Sequence, residues 1–302
     1  MTEEQLLRNL SVPNRDVDVV IDSDAFAEVD DQYAISYLLR SKEKLNTKAI
    51  YAAPVSDFRI ETPKIGMENS YREIHNVLSI LKEDIPVFLG ACEYLSDEKT
   101  PVISEAAMDL ARRAERYSPQ NPLYVIGIGA ITNIASAILI NPSIIENIVV
   151  VWLGGNAYEY KDTDEYNMRQ DFAAARVVMS CNVPFVHLPC YGVASTFSLS
   201  KSEILDWLDG KNAICDYLSK ITIAAAEKYA KGKPWTRIIW DVIPVAWLLN
   251  DNDRFMLSRI VNTRIPSYYA TYEPPCESLK SRYVYYINRD ALMDDLIKKL
   301  LK

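Results

Sequence analysis

Hydrophobic positions along this chain alternate between continuous runs and a helical period, and this alternation predicts an α/β fold. Residues 19–21 form a β-branched run typical of a strand buried on both faces. From about Asp30 to Arg40, apolar residues recur at helical spacing. Further strands are predicted at 48–53, 86–89, 123–128, 148–153 and 183–188, with helices between them at 63–81, 101–117, 131–139 and 171–180.

The last third of the chain is predicted to be mainly helical. Its helices are expected at 201–208, 213–230, 240–249 and 290–301, and strand-like runs occur at 254–261 and 282–287. We find no internal repeat, low-complexity segment or convincing linker. We therefore expect one domain over residues 1–302, built as a mostly parallel open sheet with helices on both faces.

Composition narrows the classes of partner. The chain has 302 residues, 49% of them hydrophobic, which is enough apolar material for a large core. A net charge of −8 and a pI near 5.0 argue against a nucleic-acid or anionic-membrane partner. No apolar run is long enough to span a membrane, and residues 1–17 lack a signal-peptide pattern. We expect a cytoplasmic protein.

Cysteine and histidine usage limits the chemistry further. The five cysteines are widely spaced and form no C-x-x-C pair, which is typical of reduced thiols and not of a zinc site. Only two histidines occur. His75 is predicted on a solvated helix face, and His187 at the end of a buried strand is expected to be a core residue.

A cluster of acids separates the first strand from the first predicted helix. Its members are Asp22, Asp24, Glu28, Asp30 and Asp31. Like charges this close raise one another's pKa unless a cation or donors compensate them. A helix N-terminus explains one such acid, but Asp31 precedes the core-facing positions of the helix. Asp24 follows a strand, at the sheet edge where α/β proteins bind ligands. Hard oxygen ligands of this kind favour calcium or magnesium.

Other polar or small residues follow the later predicted strands. Gly129 comes after Ile128, and Asn156 follows a Gly-Gly pair. Small residues let a backbone carbonyl approach a ligand. Asp241 opens a late helix directly after Trp240; taken alone, it is equally well explained as an N-terminal helix acid.

Five short motifs, in chain order, resemble the calcium-dependent nucleoside hydrolases, also called nucleoside N-ribohydrolases. The family's opening D-x-D-P-G-x-D-D is similar to Asp22-Ser23-Asp24 followed by Asp30-Asp31, although the loop here is two residues longer and lacks Pro-Gly. The family's G-x-L-T-N turn resembles residues 129–133, its M-G-G resembles 153–155, its E-F-N resembles 165–167, and its late H-D or W-D resembles 240–241. The implied architecture is the Rossmann-like nucleoside hydrolase fold.

The resemblance implies a calcium site and a catalytic base. The implied calcium ligands are Asp24, Asp31, Asp241 and the carbonyl oxygen of Ile128. Asp24 would also take the proton of the attacking water as general base. Breaking an N-glycosidic bond builds positive charge on the sugar, so nearby carboxylates suit the transition state.

The resemblance also implies how a ribonucleoside is held. Asp30, Glu165 and Asn167 would hydrogen-bond the ribose hydroxyls, and Asn156 is a further candidate for the pocket wall. Trp240 stands where some members carry a leaving-group histidine, and purine-preferring members stack a tryptophan there on the base. We therefore expect purine ribonucleosides as substrates. We also expect a homodimer or homotetramer.

Two alternatives stay open. Haloacid-dehalogenase-like phosphohydrolases also begin with a strand and D-x-D and use magnesium, but the pairs Asp30-Asp31 and Trp240-Asp241 fit the nucleoside hydrolases better. The other alternative is a catalytically inactive protein that binds nucleosides or ribose. Glu28, in the longer loop, has no assigned role: it either contacts ribose or braces the loop.

Overall fold

A computed structural model describes residues 1–302. Its helices are α1 (Glu3–Asn9), α2 (Asp31–Leu39), α3 (Pro63–Leu81), α4 (Glu105–Arg113), α5 (Thr132–Ile140), α6 (Tyr166–Gln170), α7 (Phe172–Ser180), α8 (Lys201–Trp207), α9 (Ala213–Ala230), α10 (Val242–Leu248) and α11 (Arg289–Leu300). Its strands are β1 (Val17–Ser23), β2 (Leu45–Ala52), β3 (Val87–Phe88), β4 (Leu123–Gly127), β5 (Ile148–Leu153), β6 (Phe185–Leu188), β7 (Ser198–Ser200), β8 (Thr236–Ile238), β9 (Met256–Thr263) and β10 (Cys276–Ile287).

Eight strands form one mostly parallel sheet in the order β3-β2-β1-β4-β5-β6-β10-β9. Only the pairing of β9 with β10 is antiparallel. The predicted α/β class and parallel sheet are therefore confirmed. Because β1 lies between β2 and β4, the chain leaves it towards one edge and later returns to its other side. Such a switch point opens a crevice at the carboxyl ends of the strands.

Helices cover both faces of the sheet, as the sequence predicts. One hydrophobic cluster packs α2, α10 and α11 against residues such as Val19 and Ile21 of β1. The opposite cluster packs α4, α5 and α7 against residues such as Val20. Alternate residues of β1 thus enter opposite cores, which explains why its sequence is continuously apolar.

The differences from the predicted elements concern short or polar segments. The sequence does not predict α1, the small α6, or the two-stranded sheet of β7 and β8. Strand β10 begins at Cys276, well before the apolar run at 282–287, because its first half is exposed and polar. Helix α4 begins later than predicted, since the Ser104 hydroxyl caps it by accepting from the Ala107 amide. None of the helices is both long enough and apolar enough to cross a membrane.

Candidate functional site

A cavity of about 450 Å³ opens at the carboxyl ends of the strands around the switch point. The loop after β1 contributes Asp24, and Asp31 begins α2. The end of β4 contributes Ile128, and the residue before α10 contributes Asp241. Residues more than 200 positions apart therefore meet at one edge of the sheet. The four implied calcium ligands all line this cavity.

The cavity holds a compact group of buried carboxylates. One carboxylate oxygen from each of Asp30, Asp31 and Asp241 lies within 4.8 Å of the others. Asp24 lies beside them: burial raises the pKa of Asp241 well above its ordinary value, and the charges of Asp30, Asp31 and Asp24 add to that increase. A Cβ atom at Gly129 would come within 2.7 Å of Asp24 Oδ1. Glycine at 129 therefore lets the Asp24 carboxylate lie against the backbone that follows Ile128.

Hydrogen bonds fix these carboxylates but leave some oxygens without partners. Asp31 accepts from the Ser23 hydroxyl at 2.6 Å. Asp30 Oδ2 accepts from the Trp240 amide at 3.0 Å, whereas the buried Asp30 Oδ1 has no partner. Behind them, Asp22 Oδ1 accepts from the Asn133 side-chain amide at 2.8 Å. Asp22 is therefore held outside the lining of the cavity, next to α5.

Burial strongly disfavours the ionised form of these acids. It raises the pKa of Asp31 to about 8, with a further increase from the charge of Asp30. Burial, followed by the charge of Asp31, also raises the pKa of Asp24 well above its ordinary value. The pKa of Asp30 is raised to about 6 by burial, although nearby Arg237 opposes that increase. The side chains alone therefore leave the site short of positive charge.

The donor set fits a hard divalent cation. Buried carboxylate oxygens and backbone carbonyls are the ligands that calcium and magnesium prefer. The unpartnered Asp30 Oδ1 faces no protein donor. The Ile128 carbonyl accepts from the Asn167 amide at 3.2 Å, which leaves its second lone pair free. Carboxylates whose pKa is raised by burial and by one another's charge are those that a bound cation would most favour in ionised form.

Glu165 and Asn167 are held rigidly at the cavity wall. Glu165 caps α6: its carboxylate accepts from the backbone amides of Gly155 at 2.7 Å, Asn167 at 3.0 Å and Met168 at 3.0 Å. Asn167 donates to the carbonyls of Ile128 and Leu153. Three backbone donors thus hold the Glu165 carboxylate in place at the cavity wall.

Trp240 lies at the cavity wall beside an aromatic neighbour. Its ring centroid is 5.3 Å from that of Tyr191, and the two rings meet edge to face at 71°. Both side chains line the cavity, and Tyr191 is about half exposed. We call these two residues the aromatic wall. Sequence reasoning missed Tyr191 because it lies in a loop without a motif.

Other singled-out residues lie away from the cavity. Asn156 is buried next to it but is not part of its lining; its amide donates to the Asp162 carbonyl, so its contact with substrate stays a prediction. His75 is exposed on α3, as expected of a residue on a solvated helix face. His187 is fully buried and lies 2.8 Å from the Gly154 carbonyl, as expected of a core histidine.

An ion-pair chain at the rim was also missed. Glu28, in the longer loop, pairs with Arg237 of β8 and with Arg59 at 3.3 Å. Arg59 also donates to the Ala27 carbonyl at 3.0 Å and pairs with Asp57. Glu28 thus braces the loop in this structure. No sequence signal could have found the two pairs of Glu28, because Arg59 lies 31 residues and Arg237 lies 209 residues along the chain from it.

A sequence profile of the inosine-uridine preferring nucleoside hydrolase family matches residues 19–273. The chain belongs to this family. The resemblance found in the motifs is therefore confirmed, and at the level of the family so is the expectation of a hydrolase acting on N-glycosyl compounds. No curated protein sequence matches the chain at a significant level.

Solved structures share the fold at low sequence identity. A plant nucleoside hydrolase has 16% identity and a TM-score of 0.75 and aligns over 94% of this chain and 99% of its own. A purine-preferring ribonucleoside hydrolase from Gardnerella vaginalis has 17% identity and a TM-score of 0.73 over 94% and 98%. The type III effector XopQ, solved with adenosine diphosphate ribose, has 14% identity and a TM-score of 0.71 over 100% and 99%. These likenesses confirm the nucleoside hydrolase fold.

Proposed function

We propose that this protein hydrolyses the N-glycosidic bond of ribonucleosides and releases ribose and free base. The observation that supports this most directly is the group of buried carboxylates at the switch point, inside a cavity of about 450 Å³. A pocket of this volume is ordinary for a small-molecule ligand. Family membership supplies the reaction class. The purine-preferring relative from Gardnerella vaginalis shares the fold.

Calcium is the proposed cofactor, held by Asp24, Asp31, Asp241 and the Ile128 carbonyl. Bound there, the cation would lower the pKa of a water molecule and anchor substrate hydroxyls. Family membership and the hard oxygen donors support calcium over softer metals. The same donors suit magnesium less well, because magnesium demands a stricter octahedral geometry and keeps several waters.

Asp24 is the proposed general base. Its carboxylate lies on the cavity wall, held against the backbone at Gly129. There it takes the proton of the water that attacks the sugar carbon C1′. Positive charge develops on the ribose as the bond to the base lengthens. Fixed carboxylates around the ribose, including Asp30 and Glu165, stabilise that charge because they are already oriented before reaction.

Asp30, Glu165 and Asn167 are the proposed ribose ligands. Asp30 Oδ1 is buried and has no protein donor, so it is free to accept from a ribose hydroxyl. Trp240 is proposed to stack on the base, which favours purines because of their larger ring area. The substrate partner is therefore a small ribonucleoside. We keep homodimeric or homotetrameric assembly as a proposal that rests on the sequence expectation alone.

The alternatives now have unequal support. Membership in the nucleoside hydrolase family removes the reason to consider a haloacid-dehalogenase-like phosphohydrolase. Binding without turnover is favoured by one observation, the XopQ structure with adenosine diphosphate ribose. Against a diphosphate ligand, seven acidic residues line this cavity, and both of its arginines are already paired with carboxylates.

Ribose release is the deciding measurement. The purified protein is incubated with inosine, guanosine, adenosine, uridine or cytidine, with calcium or with a chelator. We expect ribose release from at least the purine nucleosides, and its loss on chelation. Calcium-dependent binding of a nucleoside with no ribose released from any of the five would support the binding protein and sink the enzyme proposal.

A further inference from the structure

The turn after β5, residues 154–156, helps to hold the Glu165 carboxylate. The Gly155 amide donates to Glu165 Oε2 at 2.7 Å, and the Gly155 carbonyl accepts from the Cys190 amide at 2.8 Å. Gly155 has a φ of +71°, in the left-handed region that glycine adopts without strain. Hydrogen bonds weaken steeply when their angle departs from linear, so a rotation of this turn would loosen the carboxylate. A group that fixes the turn therefore also fixes Glu165.

The hydroxyl of Tyr272 lies against this turn from outside the cavity. Tyr272 belongs to the connection between β9 and β10, residues 264–275, and does not line the cavity. Its hydroxyl donates to the Asn156 carbonyl at 3.0 Å, and this carbonyl has no other donor. A Cβ atom at Gly155 would come within 2.4 Å of the Tyr272 hydroxyl oxygen. The hydroxyl thus satisfies one peptide group of the turn and packs directly on the glycine.

A buried histidine contacts the other end of the same turn. His187 Nε2 lies 2.8 Å from the Gly154 carbonyl and 3.5 Å from the Tyr272 hydroxyl. The turn is therefore held at residue 154 from β6 and at residue 156 from the β9–β10 connection. The Gly155 amide lies between these two contacts, so its direction is set by both.

The β9–β10 connection is itself attached to the rest of the fold, which gives its tyrosine a fixed position. Arg176 of α7 donates to the Pro266 carbonyl at 2.8 Å and pairs with Glu273 at 2.6 Å. The Thr163 amide, in the loop that follows β5, donates to the Ala270 carbonyl at 2.7 Å. The connection and the loop that leads to Glu165 are thus joined by backbone as well as by side chains.

We propose that Tyr272 is a positioning residue for Glu165: its hydroxyl fixes the turn and thereby aims the Gly155 amide at the carboxylate that receives a ribose hydroxyl. This inference rests on the proposed role of Glu165 as a ribose ligand. Because Tyr272 does not line the cavity, it acts on the substrate only through the turn.

A double-mutant cycle measures whether Tyr272 acts through Glu165. Tyr272→Phe removes the hydroxyl and keeps the ring, and we expect kcat/KM for inosine to fall by about tenfold, as for one disturbed hydrogen bond to a charged group. Glu165→Ala removes the carboxylate and should cost at least as much. In the double variant, the tyrosine change should add less than about threefold to the loss in Glu165→Ala, because no carboxylate is left to position. Losses that multiply would overturn the inference.

Tyr283→Phe is the matched control. The Tyr283 hydroxyl accepts from the Tyr158 amide at 3.1 Å, so the same chemical change removes a hydrogen bond from the same loop but outside the turn. We expect Tm to fall by a similar amount in the two tyrosine variants, whereas kcat/KM should change by less than about twofold in Tyr283→Phe. This comparison needs no change at Glu165, so it holds even where Glu165→Ala does not fold. Equal falls of kcat/KM in the two variants would contradict positioning by Tyr272.

An unreactive ligand separates this inference from the function on which it rests. Formycin B is the C-nucleoside isostere of inosine, and its carbon–carbon glycosidic bond is not hydrolysed. Calorimetry with saturating calcium gives its Kd for each variant, and we expect the same factors as for kcat/KM.

The outcomes for hydrolysis and for positioning are distinguishable. Coupling of Tyr272 to Glu165 in Kd, without ribose release by the unaltered protein, would sink the proposed hydrolysis and support the inference. Ribose release with multiplying losses in kcat/KM and Kd would do the reverse. If the unaltered protein neither releases ribose nor binds formycin B, both proposals are wrong.

Discussion

At the scale of single residues, two neighbouring aspartates are placed differently enough to have different tasks. Asp22 belongs to strand β1, whereas Asp24 lies one residue beyond the end of that strand, where the alternation of faces no longer applies. Asp24 lines the cavity, whereas Asp22 is hydrogen-bonded to Asn133 behind it. Burial raises the pKa of Asp22 to about 7, so its position near other acids is costly unless it serves the site.

Asp24→Asn tests the proposed base. The amide cannot accept the water's proton, so we expect kcat to fall by a factor of about 10² to 10⁴. Asp22→Asn is the matched control, because it makes the same chemical change two residues away and outside the cavity. We expect its loss of kcat to be at least tenfold smaller, on the order of the contribution of one buried hydrogen bond. Similar losses in the two variants would remove Asp24 as base.

Asp30 and Asp31 provide a second matched pair. Asp31 is a proposed calcium ligand and Asp30 a proposed ribose ligand, yet an oxygen of each lies in the same 4.8 Å group. We expect Asp31→Asn to weaken calcium affinity by at least about tenfold, since a bound anion is lost. Asp30→Asn should raise KM by a larger factor than the factor by which it lowers calcium affinity.

Calcium affinity is read from the rise of Tm with calcium concentration, which follows the ligand linkage relation and does not need activity. If Asp30→Asn lowers calcium affinity as much as Asp31→Asn does, Asp30 is a metal ligand and not a ribose ligand.

At the scale of elements, the longer loop after β1 is tied to the small β7–β8 sheet. The Glu28–Arg237 ion pair joins the two, and Arg237 also hydrogen-bonds to the Tyr229 hydroxyl at 3.1 Å. The charge of Arg237 opposes the rise in the pKa of Asp30. The loop lacks the family's Pro-Gly. In this structure the Glu28–Arg237 ion pair ties the loop to β8 instead.

Arg237→Gln should loosen the proposed ribose site more than the fold. Removing the guanidinium takes away the brace and the charge that favours ionised Asp30, so we expect KM to rise by about three- to tenfold, as for a coupling of about 1 kcal/mol. Arg237→Lys keeps the charge but not the fork of donors. Its KM should therefore lie between that of the unaltered protein and that of Arg237→Gln. Michaelis kinetics and thermal unfolding measure the two effects, and a fall in Tm without any change in KM would leave Arg237 with a structural role alone.

Elements differ in how far the sequence predicts them. Helix α3 and strand β5 were predicted with their observed bounds, because their apolar periods are strong and their ends are clear. Strands β7 and β8 have three residues each and pair only through tertiary contacts, so no local period indicates them. The cavity acids were predictable since they follow strand ends, whereas Glu28–Arg237 depends on a contact between those unpredicted elements.

At the scale of the whole molecule, a buried histidine makes the free energy of unfolding depend on pH. His187 of β6 lies next to Tyr158 and Tyr283 and is hydrogen-bonded to the Gly154 carbonyl. Burial lowers its pKa from 6.5 to about 4, although that hydrogen bond opposes the decrease. The folded protein therefore keeps this ring neutral at pH values where the unfolded chain is already protonated.

Unfolding measured against pH should show this difference. Between pH 6.5 and pH 4 the unfolded state binds the extra proton, so the free energy of unfolding falls as pH falls; the shift from 6.5 to about 4 corresponds to roughly 3 kcal/mol. His187→Gln stays uncharged and keeps a donor for the Gly154 carbonyl. Over the same pH range, the free energy of unfolding of His187→Gln should therefore decrease less than that of the unaltered protein. The two decreases should differ by up to roughly 3 kcal/mol. All other acids titrate equally in both proteins, so the difference between the two curves isolates His187. Parallel curves from pH 7 to pH 4 would show that the ring titrates alike in the folded and unfolded states.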